Sequence, residues 1–459
     1  MNVRKMLYRI SVSSVLLGLP SCGALAVAQP EGSVQPPRLA IQQHTFGNGL
    51  RLQMVEDHSA PVINLQVWYH VGSKDEKPGR TGFAHLFEHL MFKGSAHVGP
   101  DEHSRIIESA GGFDNAYTND DVTVYWETFP ANYLERVIWL EADRMGSLNV
   151  DEGNFKSERE VVKEERRVSV ENQPYGRLFE DLADAAFMVH PYKHTTIGSM
   201  VDLNKASLED VREFHGTYYR PDNATMIIVG DVDPPQVIAW TEKYFSGIPK
   251  PAAAIPRVTV KEPPQKAERQ LRRWYGSQSP LPAVVEAYHM PAEFTPDSYP
   301  LILASNILSG GESSRLFRKL IYEDQIASQA AGIGNFTEDP NLFIVYALLN
   351  PGTSVAEGGK ALEAIIDGMR DKPVEAVELE KAKNQQISAY ILGRRTDQQK
   401  ADAIGRAAVI GHNADLVNTS LSRYLSVSAA DIENVSKRYF DKSQLTLMLI
   451  EPPKPAAKK

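Results

Sequence analysis

Cysteine is nearly absent from this chain: Cys22 is the only one in 459 residues. It lies in a segment that reads as a targeting signal, so the mature chain is expected to have no disulfide and no thiol nucleophile. A cysteine-peptidase mechanism is thereby excluded. Long apolar runs are missing too. The stretch Ile10 to Leu19 is interrupted by serines and is too short for a membrane span. Nor is there a surplus of positive charge; the formal net charge of −9 leaves no basic footprint for nucleic acid. Gly310-Gly311 lacks the lysine pattern of a phosphate loop. What remains is a chain of ordinary apolar and charged content, long enough for two domains of about 200 residues each.

Arg4, Lys5 and Arg9 precede the short apolar stretch, and Ala26-Val27-Ala28 before Gln29 reads as a cleavage site. Residues 1–28 are therefore expected to be a signal peptide and the mature protein periplasmic. Leu19-Pro20-Ser21-Cys22 faintly resembles a lipoprotein box, so a lipid anchor on the membrane is the alternative. A Pro- and Gln-rich leader follows over 29–42. Alternating segments at 50–55 and 62–69 predict paired strands of a first domain over 43–245, which closes with the apolar strand 224–230. Pro249, Pro251, Pro256, Pro263 and Pro264 mark an extended linker over 246–267. A second domain over 268–452 has strand-like segments at 284–289, 343–349 and 445–450, and helices near 355–369 and 376–391. A tail at 453–459 ends the chain. The order of elements echoes the first domain, as a duplication would.

The chemistry concentrates in His85-Leu86-Phe87-Glu88-His89. Residues four apart share one face of a helix, so both imidazoles can reach a single ion. Glu88 stands close enough to hold a water bound to that ion, the constellation a zinc hydrolase needs. A third ligand is sought in the charged helix from Asn154 to Arg167. Glu158 and Glu165 are seven apart and share a face, while Glu164 is turned about 100° from Glu165. Such a pair suits a ligand plus a supporting carboxylate that fixes a histidine tautomer. A solvated charged helix is the plainer alternative.

On these residues the chain resembles the pitrilysin/insulinase family of zinc metallopeptidases, the inverzincins. The likeness is to the short two-domain branch that includes the mitochondrial processing peptidase and bacterial relatives. Further matches are Gly79 to Ala84, Leu90 to Gly94, and Ala110 to Tyr125, which contains Asn115-Ala116. The resemblance implies an α+β fold of two related α/β-sandwich domains, each a mainly antiparallel sheet with helices, around or beside a peptide cleft. It implies one Zn2+ per chain held by His85, His89 and Glu165, with Glu158 in support and Glu88 as general base. Substrate peptide would add to a strand edge near Asn115 and Ala116. The activity implied is hydrolysis of peptides or unfolded polypeptides by an endopeptidase.

Members of this family that act alone generally carry an Arg and a Tyr seven residues apart in the second domain. Here Ile321 and Ser328 stand at the matching positions, while Arg315 and Tyr322 keep the spacing six residues early. Neither Ile nor Ser replaces a guanidinium or a phenol at a carbonyl oxygen. The expectation is a split enzyme: this chain supplies zinc and a paralogous partner supplies the Arg/Tyr pair. A self-sufficient homodimer and a non-catalytic scaffold subunit are the alternatives. His70, His97, His103, His190, His194 and His215 have no partner at ligand spacing and are expected to serve packing or surface roles. Trp68, Trp126 and Trp139 are expected in cores.

Overall fold

Strands form here where β-branched and aromatic residues alternate or run together, and helices where apolar residues recur every three or four positions. The computed structural model describes residues 36–451, so the expected signal peptide, Cys22 and the tail lie outside the described residues. The first half opens with β1 (Gln42–Thr45), β2 (Arg51–Glu56) and β3 (Val62–Tyr69). Next come α1 (Phe83–Leu90), α2 (Glu102–Ser109), β4 (Phe113–Thr118) and β5 (Thr123–Pro130). Then follow α3 (Leu134–Ser147), α4 (Glu152–Arg166), α5 (Leu178–Ala186), α6 (Met200–Lys205), α7 (Leu208–Tyr218), β6 (Ala224–Gly230) and α8 (Pro234–Phe245). The second half contains β7 (Arg269–Arg273), β8 (Ala283–Met290), α9 (Ser298–Ser309), β9 (Ala327–Gly334) and β10 (Asn341–Leu349). It ends with α10 (Val355–Asp371), α11 (Ala376–Leu392), α12 (Asp397–Val409), α13 (Leu416–Ser426), α14 (Ala429–Tyr439) and β11 (Leu445–Ile450).

The strand order is β1-β2-β6-β3-β5-β4 in one sheet and β7-β11-β8-β10-β9 in the other. Both are mainly antiparallel, and each has one parallel pair in the corresponding place, β2 with β6 and β7 with β11. Apart from β1 the two sheets repeat strand for strand. The fold is the α+β pair of related halves that the sequence predicts.

One face of each sheet packs on helices of its own half. The other face is covered by a helix from the opposite half. Ala401, Ile404 and Ala408 of α12 sit on Trp68, Val124, Ile227 and Val229 of the first sheet. Leu182 and Ala186 of α5, with Phe187, sit on Ala283, Val285, Ala287 and Met448 of the second. Gly405 permits the close approach of α12, because a Cβ there would run into the Trp68 indole. Each large apolar side chain buried in these exchanges contributes roughly 2–3 kcal/mol. From Arg38 onward the described chain is one compact body. The proline-rich stretch is pinned to that body: the Glu262 carboxylate accepts the amides of Met188, Val189 and His190 at 2.7, 2.9 and 2.9 Å.

A buried ammonium ties the halves together. Lys74, 5% exposed, lies 2.9 Å from Asp121 in its own half. It also lies 2.6 Å from Glu338 and 3.0 Å from Asp339 in the β9–β10 connection. Burial works to raise both acids, but His70 and Lys74 bring Glu338 down to about 2, and His190 and Lys74 do the same for Asp339. Lys74→Met would leave these carboxylates without their cation, and one broken buried pair typically costs about 3–5 kcal/mol. The urea midpoint of the variant should fall accordingly; an unchanged midpoint would show that the clamp adds nothing to the joint.

Candidate metal centre

The short helix α1 is positioned from both ends. Gly82, at φ 94°, starts it, and the buried Glu76 carboxylate accepts the amides of Gly82 and Ala84 at 2.9 and 2.8 Å. A carboxylate at a helix N-terminus is favourable for the exposed amides and for the helix dipole. Phe83, Ala84, Leu86, Phe87 and Leu90 enter the core, leaving His85, Glu88 and His89 on the partly open face. The two imidazole rings are 5.0 Å apart and nearly perpendicular.

Helix α4 crosses beside α1 and brings Glu165 to the histidines. Glu165 Oε2 lies 3.5 Å from His89 Nε2 and 3.8 Å from His85 Nε2. These separations exceed the usual hydrogen-bond range. They are close to the ligand–ligand spacing of about 3.3 Å expected around a tetrahedral ion with bonds of 2.0–2.1 Å. All three ligand atoms fall within 4.8 Å of one another. Glu158, one turn-pair earlier on the same face and 5% exposed, puts Oε2 3.5 Å from His89 Nδ1. It thus stands where a carboxylate orients a ligand imidazole. His85 Nδ1 is buried with no protein partner. Glu164 points away and pairs with Arg167 at 2.9 Å.

The electrostatics suit a cation. Burial disfavours a charged His89, yet Glu158 and Glu165 outweigh it and bring its pKa up to about 9. The facing His89 holds Glu165 below the usual carboxylate range. Burial pulls His85 down, toward the neutral form that ligates metals. Glu88, partly buried between the histidines, adds a third negative charge that acts on both rings. Two imidazole Nε2 atoms and a carboxylate are the three protein donors that a catalytic zinc takes, and His85, His89 and Glu165 fit that set.

The remaining predicted residues fall into place unevenly. Asn115 and Ala116 are on β4, the edge strand of the first sheet, which packs against α1. The Ala116 amide donates to Asn115 Oδ1 at 2.8 Å. Arg315 is committed to Glu378 at 2.8 and 2.7 Å, and Tyr322 is 74% exposed. Ser328 lies on β9 and donates to Leu348 O at 3.2 Å. Of the histidines expected to have no partner at ligand spacing, His70, His97 and His190 each face a carboxylate, and His103 is grouped with two, lying 3.2 Å from Glu127 and 3.7 Å from Glu141. Strand and helix bring them together across a gap that local spacing cannot reveal.

Sequence reasoning also missed the brace between α4 and α1. Arg166, next to Glu165 and 7% exposed, is bidentate to Glu180 and donates to Gly198 O at 2.6 Å. Gly198, at φ 69°, lies directly against the backbone of Thr81 and Gly82 at the start of α1. The helix then passes into a π-helical turn at Arg167–Glu171, a feature often found beside functional sites.

Comparison with known proteins agrees with this geometry. A family model described as Insulinase (Peptidase family M16) matches residues 51–199, and one described as Peptidase M16 inactive domain matches residues 205–386. The chain belongs to peptidase family M16. The zinc protease PqqE of Helicobacter pylori is 32% identical over 446 residues, covering 96% of this chain and 98% of that protein. The mitochondrial-processing peptidase subunit beta of Lentinula edodes is 24% identical over 407 residues, 86% of each chain. A solved structure of a protease from Helicobacter pylori aligns with a TM-score of 0.87 at 31% identity, covering 91% of this chain and 100% of that one. In this M16 chain His85, Glu88, His89 and Glu165 all lie within the first match, and Ile321 and Ser328 within the second.

Gly198→Ala should therefore damage the M16 site without touching a ligand. The added methyl meets the Thr81–Gly82 backbone in a left-handed conformation, a strain of order 1–3 kcal/mol. Metal titration of the purified variant should show weaker binding with α1 and α4 pushed apart. Wild-type affinity would mean that the brace does not set the ligand spacing.

Proposed function

We propose that this chain is a zinc-dependent endopeptidase acting on peptides or unfolded polypeptides. The observation that carries the reading is the convergence of His85 Nε2, His89 Nε2 and Glu165 Oε2 beside Glu88. His85, His89 and Glu165 would hold one Zn2+, which when bound acidifies water and polarises the scissile carbonyl. Glu158 keeps the His89 ring oriented by facing its second nitrogen. Glu88 receives the proton of the attacking water and returns it to the leaving amine. The substrate backbone lies along the β4 edge at Asn115 and Ala116, displacing the Asn115 side chain from the Ala116 amide. Main-chain pairing of this kind tolerates many side chains, so it supports a broad substrate range.

We further propose that the chain is the catalytic subunit of a heterodimer. With Arg315 held by Glu378 and with Ile321 and Ser328 at the expected Arg and Tyr positions, the second half offers no such pair to the substrate. A paralogous subunit would bring that pair. The setting proposed is the periplasm, reached through the N-terminal signal segment. Among the described residues no helix is long and apolar enough to cross a membrane.

Glu88→Gln should retain zinc and lose cleavage by about 10²–10⁴-fold, whereas His85→Ala should lose the metal itself. Zinc content and cleavage of an unfolded polypeptide are the measurements, and a near-normal rate for Glu88→Gln would sink the base assignment. Mixing the chain with a paralogous subunit should raise the rate sharply. Full activity alone would point to a homodimer, and absence of zinc and activity under both conditions to a scaffold.

A further inference from the structure

We propose that Tyr125 is a positioning residue for Glu88 and that Arg144 holds it in that role; the inference rests on the peptidase reading above. Tyr125 is fully buried on β5, and its hydroxyl donates to Phe87 O at 3.0 Å. That carbonyl belongs to the planar peptide unit joining Phe87 to Glu88, so its orientation sets where the Glu88 side chain leaves the helix. The same oxygen accepts the Met91 amide at 3.1 Å at the end of α1. A helix of eight residues has few bonds of its own to define this turn, so an outside donor matters.

The phenol is itself gripped. The Arg144 guanidinium lies over its ring at 4.6 Å from the centroid, and Tyr69 meets it edge-on at 5.9 Å. Arg144, 2% exposed, is bound to Glu141 and, at 3.1 Å, to Glu127. His103, Glu127 and Glu141 have the donor types of a metal site, but Arg144 already serves as the cation of that cluster. Burying this many ionisable groups is costly and seldom favours stability by itself. Its placement has a use. Tyr125 and Glu127 share one face of β5, and their ladder partners are Ala116 and Asp114 on β4. The Arg144 cluster therefore underlies both the turn that carries the base and the strand edge that takes the peptide. Base and substrate backbone rest on one rigid support.

Tyr125→Phe removes a single oxygen and leaves the ring in place. In the zinc-loaded chain, with its partner if one is required, kcat should fall on the order of tenfold with KM and zinc content unchanged. In a Glu88→Gln background the same change should cost less than about twofold, because the group being positioned is already gone. Independently of activity, hydrogen exchange in the peptide spanning 83–93 should quicken in the metal-free Tyr125→Phe chain, while exchange in α3 stays as in the wild type. Unchanged kcat together with unchanged exchange would overturn the proposal, as would an equal kcat loss in both backgrounds. If the wild-type chain cleaves nothing, the peptidase reading fails, and the exchange result alone then decides whether Tyr125 holds the α1 turn.

Discussion

The contact between Arg166 and the Gly198 carbonyl ties α4 to the start of α1, and the site depends on how near those two helices lie. The three donor atoms come from two helices, one short and one long, and His89 and Glu165 stand 76 positions apart in the chain. Local helix geometry does not dictate the gap. It depends on the direct packing of α1 on α4, on a backbone-to-backbone contact at Gly82 and Gly198, and on the Arg166 guanidinium, which Glu180 holds, next to Glu165 in the chain. An arginine is suited to this because its planar fork can hold a carboxylate and a carbonyl at once. Its charge is matched by Glu180, so the brace adds no net charge next to a site that needs negative potential.

The same economy of buried charge appears at the joint between halves. Lys74 gathers acids from both sheets' loops, and α5 and α12 each cross to cover the other half's sheet. These exchanges make the joint part of the core. The two halves have diverged within a shared frame. The first keeps the histidine helix against its edge strand β4, while the second has Ser328 on the corresponding edge strand β9.

Much of this was legible because it is local. His85 and His89 share a helical face by geometry alone, and the seven-residue spacing of Glu158 and Glu165 singles out that pair over Glu164, which indeed turns to solvent and Arg167. The strand Val62–Tyr69 was readable from its alternation, and Ala224–Gly230 from its apolar run closed by a glycine. The crossing helices α5 and α12 were not, because a helix looks the same in sequence whichever sheet it covers. The carboxylate neighbours of His103 were missed for a related reason: Glu127 and Glu141 lie on a strand and a helix whose meeting has no local signature.

By itself the sequence determined the donor types, their order along the chain, the glutamate next to the second histidine, and the family whose pattern they match. These depend on short-range periodicity, which side-chain identity and 3.6 residues per turn suffice to specify. Tertiary structure alone decided that His89 meets both Glu158 and Glu165, that a buried arginine of α4 meets the Gly198 carbonyl, and that Tyr125 reaches back to the peptide bond before Glu88. Those contacts join residues far apart in the chain, and their distances are set by how whole elements pack, which no window of sequence contains.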